Sequence, residues 1–376
     1  MDCLQCKKRE TCGCYESGKL VNKDASTAEL KDKLTGTLIG LARLAKGMEE
    51  QLHEFTSRLL VKGLFATLTS VNFDNEALMD LIEKIDLEKQ KLLKKKEEVS
   101  ICVKEYDYNM VQLWDDHTDI RSLKSMILQG IRGIAVYAYH AAALGYQDHE
   151  IHSFLLKALR VVGKENWGME QLFPVVLETG KMNLKCMEMA DRASKETFGR
   201  MEKNDADRII DEHVKEALKN GEVRHLFLVA GCDKTRPGRN YYTEFIEKTP
   251  EDSMVLTMTC DQYQPDHSKY GQIGMIPRVL DVGRCNDSYF AIRIAKELAE
   301  ATGKNITELP LSMVLSWYEQ RAVCILLTLM YLKIKNIRLG PSLPTYISQN
   351  VLDFLYEKYN IALITTPEED LKMMLG

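Results

Sequence analysis

The hydrophobic positions change their period once along the chain. From about Ser26 to Asn220 apolar residues recur at three- and four-residue steps, as in Leu38, Leu41 and Leu44 and again in Leu78, Ile82 and Ile85. That spacing lines one face of an α-helix. Pro174 is the one proline in the stretch, so little breaks the helices. The pattern predicts a first helical group, a second from Ile120 to Ala193, and a polar helix from Glu196 to Gly221. The run from Lys89 to Glu98 is dense in charge and reads as a solvated helix face or the turn between two helices.

Around Arg224 short apolar, β-branched runs begin to alternate with helix-length segments. The runs are His225–Ala230, Ser253–Thr259, Arg278–Val282, Ser312–Ser316, Asn336–Leu339 and Ile361–Thr365. Strands at intervals of about thirty residues are what successive βαβ units give, and such units build a mostly parallel sheet covered by helices. The expected fold is α plus α/β: a cysteine-rich segment over 1–25, an all-helical bundle domain over 26–220, and a Rossmann-like, mostly parallel sheet domain over 221–376.

A length of 376 residues agrees with more than one core. The net charge of −5 argues against a general nucleic-acid binder. There is no run of about eighteen apolar residues, and the start, Met1-Asp2-Cys3, lacks the charged-then-apolar pattern of an export signal. A cytoplasmic protein without a membrane segment is expected. Ten cysteines in a reducing compartment point to metal ligation, redox chemistry or burial rather than disulfides.

Four of those cysteines crowd into the first fourteen residues: Cys3, Cys6, Cys12 and Cys14, spaced C-x2-C-x5-C-x1-C. So compact a loop can wrap four thiolates round one inorganic centre, as iron–sulfur clusters require. Structural zinc usually pairs two C-x2–4-C knuckles across a longer loop, which the single-residue gap fits poorly. Lys7, Lys8 and Arg9 lie within the loop, where positive charge offsets that of the thiolates. Iron–sulfur is the preferred reading, ahead of zinc or unmetallated thiols.

Three predicted strands run straight into a cysteine: LFLVAGCD at Cys232, MVLTMTCD at Cys260 and RVLDVGRCND at Cys285. Ligands of open parallel sheets bind beyond the carboxyl ends of the strands, so cysteines at three such ends converge on one point. A fourth run, PLSMVLSWYEQRA, leads to Glu319, with Arg321 two residues later. Glu319 equally suits the first turn of the next helix, where the dipole favours a carboxylate. Cys102, Cys186 and Cys324 read as structural residues on helices, since an isolated thiol behaves as a small hydrophobe. Nucleotide binding has little support, because no G-x-G-x-x-G follows a strand.

The segments VAGCDKTRPGRNYYTEF, TMTCDQY, VGRCNDSY, LPLSMVLSWYEQRAVCILLTL and TTPEEDL resemble those of the hybrid-cluster proteins, the hydroxylamine reductases, and more weakly those of nickel carbon-monoxide dehydrogenases. The four early cysteines, the helical bundles and NLKCMEM fit the same family. The resemblance implies a [4Fe–4S] or two-iron cluster on Cys3, Cys6, Cys12 and Cys14 and a second, catalytic iron–sulfur–oxygen cluster. It matches Cys232 to a ligand that carries a persulfide, Cys260 and Cys285 to two further ligands, and Glu319 to a carboxylate ligand.

Two departures stand out. The family's middle domain, which supplies a histidine, a glutamate and a cysteine ligand, is replaced here by a short bridge from Thr197 to Arg224, so a plain cubane is the simplest second cluster. Arg321 stands where the family has lysine. The resemblance implies a hydroxylamine reductase fed by a redox partner protein and acting on a small nitrogen-oxide substrate. The rival is a two-cluster electron carrier or nitric-oxide-responsive protein. Without the middle domain the sheet edge would be left open, so a homodimer is expected to cover it.

Overall fold

The computed structural model describes residues 25–68, 74–96, 102–198, 212–231, 240–259, 267–274, 276–284, 288–316, 320–340, 344 and 346–376. Their Cα positions fall into two compact units, one helical and one built on a sheet. The expected α plus α/β fold is the fold observed.

The helical unit contains α1 (Ala25–Leu44), α2 (Glu54–Ala66), α3 (Asn75–Lys95), the short α4 (Val111–Asp115), α5 (Thr118–Ala143), α6 (His149–Val162) and α7 (Met169–Phe198), the last residue of α7 excepted. Several helices start where a side chain accepts from an otherwise unpaired backbone amide: His53 from Phe55, Asp74 from Ala77, and Asp148 from Ile151. Such caps are typically worth about 1 kcal/mol each. The predicted stripes are core. Leu38, Leu41, Leu78 and Ile85 are fully buried, and the packing of α1 on α3 unites the two stripes.

The helical unit also takes in Tyr318–Thr328 and Pro344–Val351, so the compact units interleave along the sequence instead of dividing once near residue 220. The described part of the first segment opens α11, here counted as the helix Gln320–Tyr331. Gly180 of α7 makes room for it: a Cβ there would lie 2.0 Å from the Leu327 carbonyl oxygen, a backbone atom that cannot swing aside. Asn183 donates to Thr328 Oγ1 at 2.7 Å and to the Cys324 carbonyl at 3.2 Å. The second segment is held by Asp119, which accepts from Ser348 Oγ at 2.6 Å and from Asn350 Nδ2 at 3.1 Å.

The sheet unit has six strands: β1 (His225–Ala230), β2 (Ser253–Thr259), β5 (Val279–Arg284), β6 (Leu311–Ser316), β7 (Ile337–Gly340) and β8 (Ile361–Leu363). Their order is β5-β2-β1-β6-β7-β8, with every neighbouring pair parallel. A separate antiparallel pair, β3 (Gln272–Ile273) and β4 (Ile276–Pro277), precedes β5. The helices of this part of the chain are α8 (Glu212–Lys219), α9 (Tyr241–Lys248), α10 (Ser288–Thr302), α12 (Gln349–Tyr359) and α13 (Pro367–Leu375). All six strands coincide with predicted runs, β1 and β2 without any shift and the others with end shifts of at most two residues. The core includes Phe227, Val229, Phe245, Val255, Val314 and Leu371.

Two expectations need correction. The charged run is not wholly solvated: Lys89 is fully buried, its Nζ 2.7 Å from Asp86 Oδ1 and paired with Asp107. There it also donates to the Val103 carbonyl at 3.3 Å, tying α3 to the following segment. Cys102 is exposed and precedes a 3-10 turn rather than sitting on a helix. The polar helix expected over Glu196 to Gly221 falls largely outside the described residues, which show α7 to Phe198 and α8 from Glu212 to Lys219.

A second buried cation sits inside the helical unit. Arg132 of α5 is 1% exposed, donating from Nε to Thr67 Oγ1 and from Nη2 to Thr35 Oγ1, both at 3.0 Å. Asp32 of α1 supplies opposite charge, yet burial outweighs that attraction and pushes its carboxyl from 3.8 up to about 6. A folded-state value above the unfolded one gives a contribution that is complete below about pH 4 and lost as pH rises through about 6. The full swing is on the order of 3 kcal/mol. Asp32→Asn should therefore match the parent near pH 4 and exceed it in thermal midpoint above pH 6. Equal midpoints at both ends of a pH 4–7 series would refute the assignment.

Candidate metal centre

The parallel register brings four strand ends to one level. Ala230 of β1 is paired with Met258 of β2 and with Leu315 of β6, and Thr259 of β2 is paired with Arg284 of β5. Counted along the sequence, Cys232 follows Ala230 by the same two residues by which Cys260 follows Met258. Likewise Cys260 and Cys285 each follow the Thr259–Arg284 pair by one residue. In the sequence the three cysteines therefore follow neighbouring strands at matching counts, and Glu319 follows the end of the fourth strand, β6.

That match depends on an irregularity. Between Thr257 and Thr259 the partner on β5 advances from Asp281 to Arg284, three residues against two. An extra residue of this kind bends a strand and resets the faces of the side chains beyond it. Without it the count from β2 to Cys285 would be one residue out of step. Adjacent strands lie about 4.8 Å apart, so β5, β2 and β1 span about 10 Å at the edge and β6 adds one further step.

Cys232, Cys260, Cys285 and Glu319 lie outside the described residues, as do Cys3, Cys6, Cys12 and Cys14. Arg321 falls in the first turn of α11, and its side chain is not described. Among the described residues no group of three or more His, Cys, Asp or Glu side chains is arranged to hold a metal. The donor set at the strand ends is three thiolates with a carboxylate, and soft thiolate ligands select iron–sulfur groups, zinc or copper. By type, and by their count beyond the strand ends, these residues fit an iron–sulfur group.

What borders this edge is described. Gly231, the residue before Cys232, faces Tyr242 so closely that a Cβ on it would lie 2.3 Å from the ring carbon Cε1. The neighbouring Tyr241 donates to Asp370 Oδ2 at 2.6 Å, and burial followed by that hydrogen bond pushes its phenol far up. Asp370 stands 3.3 Å from Arg338 Nε, both side chains wholly buried. None of these residues was singled out from the sequence. The available signal was Arg338, a lone charge in the otherwise apolar strand IRLG.

Cys186 and Cys324 are the buried structural residues the pattern implied. Each thiol reaches a carbonyl of α5, Cys186 that of Ile134 at 3.6 Å and Cys324 that of Gly130 at 3.5 Å. Burial raises both thiols well above their ordinary value.

The mostly parallel sheet and the helical bundles give a mixed α and α/β build, and the family match and named relatives support an iron–sulfur oxidoreductase. The chain belongs to the Prismane/CO dehydrogenase family, whose model matches residues 1–208 and 201–372. It is 30% identical to "Hydroxylamine reductase" from Maridesulfovibrio salexigens and to that from Solidesulfovibrio magneticus, over all of both chains in each case. The alignments run over 535 and 541 positions against 376 residues here, so these relatives carry a domain's worth of residues with no counterpart in this chain. Among solved structures, carbon monoxide dehydrogenase IV from Carboxydothermus hydrogenoformans is similar over 93% of this chain and 85% of its own, at 12% identity and a TM-score of 0.38.

The thiol assignments can be checked by brief alkylation of the folded protein followed by peptide mass mapping. Cys102 should be labelled, while Cys186 and Cys324 should label only after unfolding. Early labelling of Cys186 would contradict its position in the core.

Proposed function

We propose that this protein is an iron–sulfur reductase of hydroxylamine or a related small nitrogen oxide. The observation that carries the reading is the register of β1, β2 and β5, whose last pairs are followed along the sequence, at matching counts, by Cys232, Cys260 and Cys285. It occurs in a chain whose relatives are named hydroxylamine reductase. Cys3, Cys6, Cys12 and Cys14 would hold a [4Fe–4S] cluster for electron entry. Cys232, Cys260, Cys285 and Glu319 would hold the second cluster. Bound there, such a group supplies electrons singly and an iron with an exchangeable position.

The balanced step is NH2OH + 2 e− + 2 H+ → NH3 + H2O. The N–O bond breaks, nitrogen leaves as ammonia and oxygen as water. Both electrons come from a redox partner protein, and the protons come from solvent. Glu319 contributes the one carboxylate of the donor set. Arg321 stays protonated throughout, so it contributes fixed positive charge and donates no proton. A cytoplasmic setting matches the free thiols this chemistry needs.

The residues missing relative to the named reductases favour a second reading, a two-cluster electron carrier or nitric-oxide-responsive protein. Anaerobic steady-state assays with a reduced dye separate the two, since only the reductase consumes hydroxylamine catalytically. Glu319→Gln, which keeps size and removes charge, should lower turnover on the order of 10–100-fold, as changes around metal sites do, and alter the spectrum of the second centre. Normal activity with an unchanged spectrum would leave Glu319 as a helix-start carboxylate. Separately, Cys12→Ser should depress turnover with a protein donor while sparing the second centre's spectrum; joint loss of both clusters in folded protein would rule out the division of labour.

A further inference from the structure

The described residues on either side of Cys232 form one line of contacts. It starts at Arg338 on β7, whose Nη1 donates to the Asn360 carbonyl at 3.1 Å. Its Nε stands 3.3 Å from Asp370 Oδ1. Asp370, near the start of α13, also accepts from the Thr365 amide at 2.9 Å and the Thr365 hydroxyl at 3.1 Å. Its Oδ2 takes the Tyr241 hydroxyl at 2.6 Å. Tyr241 meets Tyr242 edge to face at 5.4 Å between ring centroids, and the Tyr242 ring abuts Gly231. One rigid peptide unit then joins Gly231 to Cys232.

We propose that Gly231 and Tyr242, anchored through Tyr241, Asp370 and Arg338, are positioning residues that fix the backbone from which the Cys232 thiolate reaches the second cluster. The inference rests on the reading of Cys232 as a cluster ligand. Two magnitudes support it. A side chain on Gly231 would have to move from 2.3 Å to an ordinary contact, a displacement of more than about 1 Å, whereas metal-site geometry tolerates about 0.5 Å. The absence of a side chain at 231 is thus a condition for the strand end to rest against the ring. The buried ion pair points the same way. Two charges withdrawn from water stabilise no more than apolar packing would, but the pair holds the Asp370 carboxylate in place, and the hydrogen bond it accepts from Tyr241 fixes that side chain, and with it the start of α9, in one orientation.

The test uses full-length protein loaded anaerobically with iron and sulfide, read by electron paramagnetic resonance and by redox titration of each cluster. The variants are Gly231→Ala, Gly231→Ala with Tyr242→Ala, Tyr241→Phe, and Cys232→Ser as reference. Gly231→Ala should shift or abolish the signal of the strand-end cluster and leave that of the N-terminal cluster intact, which general destabilisation would not do. Removing the Tyr242 ring as well should bring the signal back toward that of the parent. Tyr241→Phe, which deletes only the hydroxyl, should shift signal and midpoint potential in the same direction by less. If Gly231→Ala does not fold, Tyr241→Phe decides alone. Parent-like signal and potential in Gly231→Ala and Tyr241→Phe, with Cys232→Ser altered, would overturn the positioning role and keep the ligand assignment. A parent-like spectrum in Cys232→Ser would remove the ligand assignment itself, and the inference with it.

Discussion

The hydrogen-bond register of the parallel strands is the constraint on which the rest of the sheet unit depends. A parallel ladder advances two residues together on each strand, so a donor placed a fixed count beyond the last pair of one strand meets donors placed at the same count beyond its neighbours. β1, β2 and β5 satisfy that count for Cys232, Cys260 and Cys285, and they do so because β5 carries one extra residue between Asp281 and Arg284. A slip of one residue would reverse the faces of the side chains that follow. Valine and leucine fill the buried faces of these strands, and each such side chain contributes roughly 1.5–3 kcal/mol of hydrophobic stabilisation. The same packing that stabilises the sheet therefore holds the register that its edge requires.

Three of the fully buried cations complement this apolar framework: Lys89, Arg132 and Arg338. Each holds segments distant in sequence. Lys89 ties α3 to Val103 and Asp107, Arg132 joins α5 to Thr35 and Thr67, and Arg338 joins β7 to Asp370 of α13. Apolar side chains of similar size would stabilise such positions as well or better. What charge supplies is direction, because an ion pair or a hydrogen bond fixes orientation where dispersion contacts allow sliding. Directional contacts of this type stand beside the proposed ligand strand ends as well as in the helical unit.

The relationship to hydroxylamine reductases is carried by both parts of the chain, the family model matching on either side of residues 201–208. The alignments with these relatives run longer than the 376 residues of this chain. The strand-end donors belong to the shared portion, and the proposed chemistry draws its ligands from that portion alone.

The sequence by itself determined the elements. Helical stripes such as Leu38–Leu41–Leu44 and strand runs such as His225–Ala230 are written in local periodicity, since each element's burial follows from its own residue spacing. The strand-end cysteines were legible for the same reason, because a strand's end is a local event. Only the tertiary structure decided the rest. Lys89 looked solvated until Asp86 and Asp107 were seen around it, and Cys102 looked like core until it proved exposed. The β5 irregularity, the Gly231–Tyr242 approach and the Tyr241–Asp370–Arg338 line join residues that are neighbours only once the strands have paired. Their energies come from contacts between distant segments, and no spacing along a single segment records such a contact.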